Sequence, residues 1–221
     1  MFGRSLEQPR YWRLALLLCI LSAHTAEAQD EHEPLFEPHV FVRPEVITDP
    51  DPEGFSVCFG HTCAEIAAVK LNPGAWHSIR RLFVRPAATP EEERHQIARA
   101  IARFEHLVGQ LTDTAFDAPE NDAPERGYGM DCIDESTNTT TYLRLLAKAG
   151  LLRWHRVEAP VTRGWFLMGA PHSTAVIRDH QSGRLWAVDS WFFANGIAPA
   201  ILTLEEWQGG WRPRRPTDTR Q

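Results

Sequence analysis

"GYGMDCIDESTNT", residues 127–139, sets one cysteine between two aspartates where helix-forming sequence begins. A structural cysteine is ordinarily buried among apolar neighbours, and Cys132 has none beside it but Ile133 and Met130. The stretch predicts a helix over residues 131–149, with Leu143, Leu146 and Ala147 on its later apolar face and Gly150 as its C-terminal cap. Its early turns, "STNTTT", are rich in β-branched polar residues, which are mediocre helix formers. They serve there if their hydroxyls bond back to the preceding turn while packing beneath a site. "NTT" is also a glycosylation sequon, but a helical position against the core argues against its use.

What a cysteine does depends on its compartment. The chain opens with a basic start (Arg4, Arg10, Arg13), a short apolar run over 14–23, and the small-x-small pattern Ala26-Glu27-Ala28. That is the layout of a secretory signal peptide, so residues 1–28 are expected to be removed, leaving a periplasmic or secreted protein cut near Ala28. The apolar run has about ten residues, short of the ~20 a spanning helix needs. With Cys19 gone, Cys58, Cys63 and Cys132 remain. Cysteines in an oxidising compartment tend to pair, and an odd one is intermolecular or a reactive thiol. Gly60 in "CFGHTC" lets the chain turn back, making Cys58 and Cys63 the disulfide candidates and Cys132 the odd one. Pairing of Cys132 with Cys58 or Cys63 is the competing arrangement. A metal site through Cys58, His61 and Cys63 lacks a fourth ligand and the spacing of a zinc motif, so no metal and no cofactor is expected.

The formal charge of −6 comes with no basic stripe, which disfavours nucleic acid or an anionic membrane as a partner. No later apolar run spans a bilayer, so no transmembrane segment is expected in the mature chain. Residues 29–54 are rich in proline and acid and read as an extended leader, wrapped on the surface or loosely ordered. Residues 55–221 read as a single domain, long enough for a core. "FSVCFGHTCAEIAAVKL" suits one or two short strands. "TPEEERHQIARAIARFEHLVGQL" predicts a helix over about 90–110: Thr89 caps it, Pro90 opens it and Glu92 completes a capping box. Ile97, Ile101, Phe104, Val108 and Leu111 share one face, with His95 and His106 on the polar side. "LRWHRVEAPV", "GWFLM", "HSTAVIRD" and "GRLWAVDSWFF" then read as strands, so helices precede an antiparallel meander, an α+β arrangement. Trp165, Trp186, Trp191, Trp207 and Trp211 read as core and rim packing, some beside a cleft near the Asn195-Gly196 turn.

Three polar residues stand out. Cys132 starts a helix, His172 starts a strand after "GAP", and Asp189 ends the next strand. If "DHQS" (179–182) is a four-residue hairpin loop, Arg178 faces Gly183 and His172 lies opposite Asp189, within reach of an aspartate that orients an imidazole. A one-residue slip would separate their faces. Backbone amides and the dipole at a helix start lower a thiol's pKa and stabilise an oxyanion. Asp131 and Asp134 oppose this unless turned away or capped. His155 is a second, weaker candidate base, lacking a following carboxylate.

"MDCIDES", "PHSTAVI" and "AVDSWF" together resemble the Cys–His–Asp core of the transglutaminase-like superfamily, and more closely the bacterial transglutaminase-like cysteine peptidases with their D-C-x-D motif. The resemblance covers roughly residues 125–211. It implies a papain-like fold in which a Cys-bearing helix packs on an antiparallel sheet, with Cys132 as nucleophile, His172 as base and Asp189 as its orienter. The expected function is thiol-dependent acyl transfer, hydrolysing a peptide or amide bond of a peptide or protein substrate or passing the acyl group to an amine. One oxyanion donor would be the Cys132 amide, with the "GYG" loop (127–129) as a guess for the second. The alternative is a noncatalytic cell-envelope binding protein on the same fold.

Overall fold

The computed structural model describes residues 45–121, 129–164 and 171–214. Chain contacts separate Met1–Glu37, which lies outside those residues, from Pro38–Gln221, the unit described below. The expected signal peptide, most of the leader, the "GYG" residues 127 and 128, "WFLM" (165–168) and Trp165 fall outside the described residues. The end of the leader is wrapped on the surface. Pro52 accepts from the Leu71 amide at 2.8 Å, the Ile47 amide donates to Ser56 Oγ at 3.0 Å, and Asp49 pairs with Lys148 at 2.9 Å.

Among the described residues there are four α-helices and two antiparallel sheets, an α+β arrangement. A hairpin of β1 (Phe55–Phe59) and β2 (Glu65–Val69) comes first, in the register Phe55↔Val69 to Phe59↔Glu65. Three helices follow: α1 (Pro73–Arg80), α2 (Pro90–Gly109) and α3 (Cys132–Lys148). The second sheet is a meander, β3 (His155–Arg163), β4 (His172–Asp179), β5 (Leu185–Asp189) and β6 (Ala200–Thr203), closed by α4 (Leu204–Gln208).

Local chemistry explains the boundaries. Asn72 Oδ1 accepts from the Ala75 amide and Pro73 takes the first position of α1. Thr89 Oγ1 caps Glu92 as expected, but the Glu92 carboxylate binds the Ala88 amide, so the expected capping box is only half formed. Leu111 lies beyond the end of α2 and is 58% exposed, correcting its place on the apolar face. His95 and His106 are exposed, as read. Thr203 and Glu206 make a reciprocal box at α4. Pro160 has no N–H for the ladder, and β3 breaks register between Glu158 and Val161 around it, which an edge strand tolerates.

The core lies where α2 and α3 meet the two sheets. Phe55, Ile97, Ile101, Phe104, Leu143, Leu146 and Ile177 are all buried there, and Phe104 stacks on Tyr142 with ring centroids 4.7 Å apart. Each such side chain contributes roughly 1.5–3 kcal/mol by leaving water. α3 packs on both β1 and β4, so one rigid helix fixes its own N-terminus against the hairpin and the start of β4.

Candidate active site

The polar turns of α3 form a helix by bonding back on themselves. Ser136 Oγ donates to the Ile133 carbonyl, Thr140 Oγ1 to that of Ser136 at 2.7 Å, and Thr141 Oγ1 to that of Thr137. Asn138, in the sequon, is buried and clasps β1: it accepts from the Cys58 amide at 2.7 Å and donates to its carbonyl at 2.8 Å. Its place leaves no room for a glycan.

Cys132 occupies the first helical position behind the N-cap Asp131. Asp131 Oδ1 accepts from the Ile133 and Asp134 amides, and Asp134 Oδ2 accepts from the Asp131 amide. The other contacts come from the hairpin turn. The Thr62 amide donates to Asp131 Oδ2 at 2.9 Å, while those of His61 and Cys63 donate to Asp134 Oδ2 and Oδ1 at 2.9 and 2.6 Å. Both aspartates are thus capped. Cys58 and Cys63 form the expected disulfide and Cys132 lies outside it. Gly60, His61, Thr62 and Cys63 all take positive φ, between 53° and 78°. For the three non-glycines this costs roughly 1–2 kcal/mol each, offset by the cross-link and the carboxylates.

His172 and Asp189 come together at the sheet's end. His172 Nε2 lies 2.7 Å from Asp189 Oδ2, with His172 7% and Asp189 1% exposed. The register that achieves this corrects the expected one. Arg178 pairs with Leu185 rather than Gly183, so the loop is 180–183 and Asp189 falls opposite Thr174, diagonal to His172. Asp179 causes the displacement: its Oδ1 accepts from the Gln181 and Ser182 amides, holding the turn beyond it, and Gly183 closes the turn at φ +71°. A shift of two residues preserves the face, and diagonal neighbours remain within reach of an imidazole.

The sequence reading missed a further partner. Trp207 Nε1 donates to Asp189 Oδ2 at 2.6 Å, so this tryptophan is more than packing; the Trp191 amide reaches Oδ1 at 3.3 Å. Trp191, Phe192 and Trp207 surround the His172 ring, with centroids 4.7, 5.1 and 5.5 Å away. His172 Nδ1 is buried and has no hydrogen-bond partner among the described residues. Cys132 Sγ lies 3.9 Å from the carbonyl oxygen of Pro171, the residue before His172. The thiol therefore lies beside the residue that leads into β4 and His172.

His155 is not part of it. Its Nδ1 lies 2.9 Å from Glu93 Oε1 in a fully buried pair, and Glu93 also accepts from the Arg153, Trp154 and His155 amides. Burial pushes the Glu93 carboxyl up, but His155 and these amides outweigh it and hold it below the usual range. This is a structural clasp between α2 and β3.

Behind the thiol, the sequence also gave no sign of a layer of buried acids. Burial pushes Glu105 up to about 7. Burial and then the Asp131 charge do the same to Asp134, also to about 7. Glu135 is driven well up by burial and by Glu105, Asp117, Asp134 and Asp189, and burial raises Asp117. Asp117 Oδ1 accepts from the Met130 amide at 2.7 Å and from Asn121 Nδ2 at 3.2 Å, fixing the segment that enters α3. Gly129 leaves room for the Asn121 side chain, which would have to shift if a Cβ were present there. Among the described residues no group of His, Cys, Asp or Glu is arranged to hold a metal ion, and no helix is long and apolar enough to cross a membrane.

Comparison with protein-family models, curated proteins and solved structures gives no match for this chain.

Proposed function

We propose that the protein is a secreted or periplasmic thiol enzyme of the transglutaminase-like, papain-like kind, hydrolysing a peptide or amide bond through Cys132, His172 and Asp189. The observation that carries this reading is the asymmetry of His172: Nε2 is held by Asp189, while Nδ1 is buried without a partner among the described residues, and Cys132 Sγ lies against the carbonyl oxygen of Pro171, the residue before His172. Asp189 fixes the tautomer with the proton on Nε2, leaving Nδ1 as the base. Nδ1 takes the thiol proton, and the thiolate attacks the carbonyl carbon of the substrate. The Cys132 amide, at the helix start, stabilises the oxyanion. The imidazolium then protonates the leaving amine from Nδ1, and water resolves the acyl-enzyme by the reverse proton path. The disulfide supports the compartment, since such bonds persist where it is oxidising.

The test is a pair of measurements on the chain without residues 1–28. Iodoacetamide alkylation against pH, read by mass spectrometry, should label Cys132 with an apparent pKa below about 7. p-Nitrophenyl acetate should give a burst of one equivalent of p-nitrophenolate. Both should be lost in Cys132→Ala, and the low pKa in His172→Ala. A Cys132 that titrates like an ordinary thiol and gives no burst would sink the reading.

A further inference from the structure

The nucleophile's two flanking carboxylates are held by a loop that lies some seventy residues upstream. Asp131 and Asp134 together accept from six backbone amides: Ile133 and Asp134 in α3 and its N-cap Asp131, and His61, Thr62 and Cys63 in the β1–β2 turn. The helix supplies only what any capping box supplies. The remaining three amides converge because four successive residues, Gly60 to Cys63, hold left-handed backbone. Non-glycine residues leave that conformation readily unless something over-determines it. Here the cross-link between Cys58 and Cys63 closes the loop, and Asn138 anchors its near end through both backbone groups of Cys58. The Gly60 amide adds a bond to the Gly129 carbonyl at 3.0 Å, in the segment leading to Cys132.

We infer that the Cys58–Cys63 loop is a positioning element for Cys132, locked by its disulfide, so that the reactivity of the thiol depends on the redox state of that bond. This rests on the thiol-enzyme reading above. Closed, the loop fixes both carboxylates against its amides and keeps Asp134 buried, where its neutral form is favoured, leaving the helix start to favour a thiolate at Cys132. A dithiol reductant opens it: the S–S bond breaks, two electrons and two protons pass to Cys58 and Cys63 as thiols, and the dithiol becomes a cyclic disulfide. The loop then relaxes to ordinary φ values and takes its three amides with it. Asp131 and Asp134 are left beside Cys132 with their charge uncompensated, and the thiol returns toward an ordinary pKa. A simple staple between two strand ends would not have this effect.

The experiment compares the pH profile of Cys132 alkylation by iodoacetamide in the oxidised wild-type chain and in Cys58→Ser/Cys63→Ser. The expected result is a drop of about tenfold or more in the labelling rate near pH 7 in the double variant, with the profile moved to higher pH and cooperative unfolding retained. Adding Asp134→Asn to that variant should recover most of the rate by removing the exposed charge. A folded double variant with the wild-type profile would overturn the inference. If the double variant does not fold, native wild-type protein is treated briefly with dithiothreitol, and Cys132 labelling is compared between open and closed molecules in the same spectrum. Equal labelling overturns the inference, and so does global unfolding on reduction, because the bond would then be a staple for the whole fold. An ordinary thiol profile in the oxidised wild type is a different result, and it strikes the proposed function itself.

Discussion

At His172 the two ring nitrogens differ: Asp189 holds Nε2, while Nδ1 is buried without a partner among the described residues. The aspartate carries three donors, His172 Nε2, Trp207 Nε1 and the Trp191 amide, so its carboxylate is compensated inside the core rather than left to repel the thiolate. Asp189→Asn keeps the shape but permits the wrong tautomer. The p-nitrophenyl acetate burst should slow by on the order of 10²–10⁴, the range proton transfer contributes, with little loss of cooperative unfolding in urea. Trp207→Phe removes a buried donor to a charged acceptor. It should cost about 1–3 kcal/mol in urea unfolding and slow the burst as well, because the carboxylate is then free to turn. A variant that loses stability but keeps the wild-type burst rate would make Trp207 a packing residue only.

The elements hold this geometry through a few long-range clasps. Asn138 ties α3 to β1 across the sequence, and Asn138→Ala would strand the amide and carbonyl of Cys58 in a dry site. A loss of about 2–6 kcal/mol is expected, one desolvation penalty for each orphaned group, measurable by urea denaturation. Much of this level was legible from sequence. The cap of α2, the strand character of β4 and β5 and the back-bonding of the α3 threonines all act between neighbours, so their signals are local. Strand periodicity saved the pairing of His172 with Asp189. The loop lies one residue further on than expected, and a displacement that moves both strands keeps both side chains on one face. The helices α1 and α4 and strand β6 went unread because they are short, although "NP" at 72–73 and "TLEE" at 203–206 carry their caps. The clasp of Glu93 on His155 had no local signal. It joins residues sixty positions apart in sequence, and only the packing of α2 on β3 brings them together.

Over the whole molecule, the buried acids make stability fall as pH rises, opposite to the direction expected for the proposed nucleophile. Glu105 and Asp134 titrate near 7 in the fold, and Glu135 and Asp117 are raised as well, burial being the leading cause in each case. A carboxyl raised above its unfolded value binds more protons in the native state. Its stabilisation is complete below the unfolded pKa near 4 and is lost as pH climbs through about 7. Glu93, Glu158 and Asp179 are held low, each by partners that outweigh burial, and their contribution is lost only as pH falls below the ordinary carboxylate range. The stability maximum should therefore sit on the acid side, around pH 5. Between pH 5 and 8 the thermal midpoint should fall by several degrees, since one kilocalorie is about 2–4 °C in a domain this size. Glu105→Gln keeps the neutral form at every pH and relieves Glu135, which Glu105 helps to raise. Its melting curves at pH 5, 6.5 and 8 should show a clearly shallower decline than those of the wild type. An unchanged slope would place the proton uptake elsewhere in the fold. The thiolate at Cys132, by contrast, gains population as pH rises through its own pKa. If Cys132 is the nucleophile proposed above, the buried acids of α2 and α3 ionise over part of the range in which its thiolate forms, so stability declines with rising pH while the nucleophile gains population.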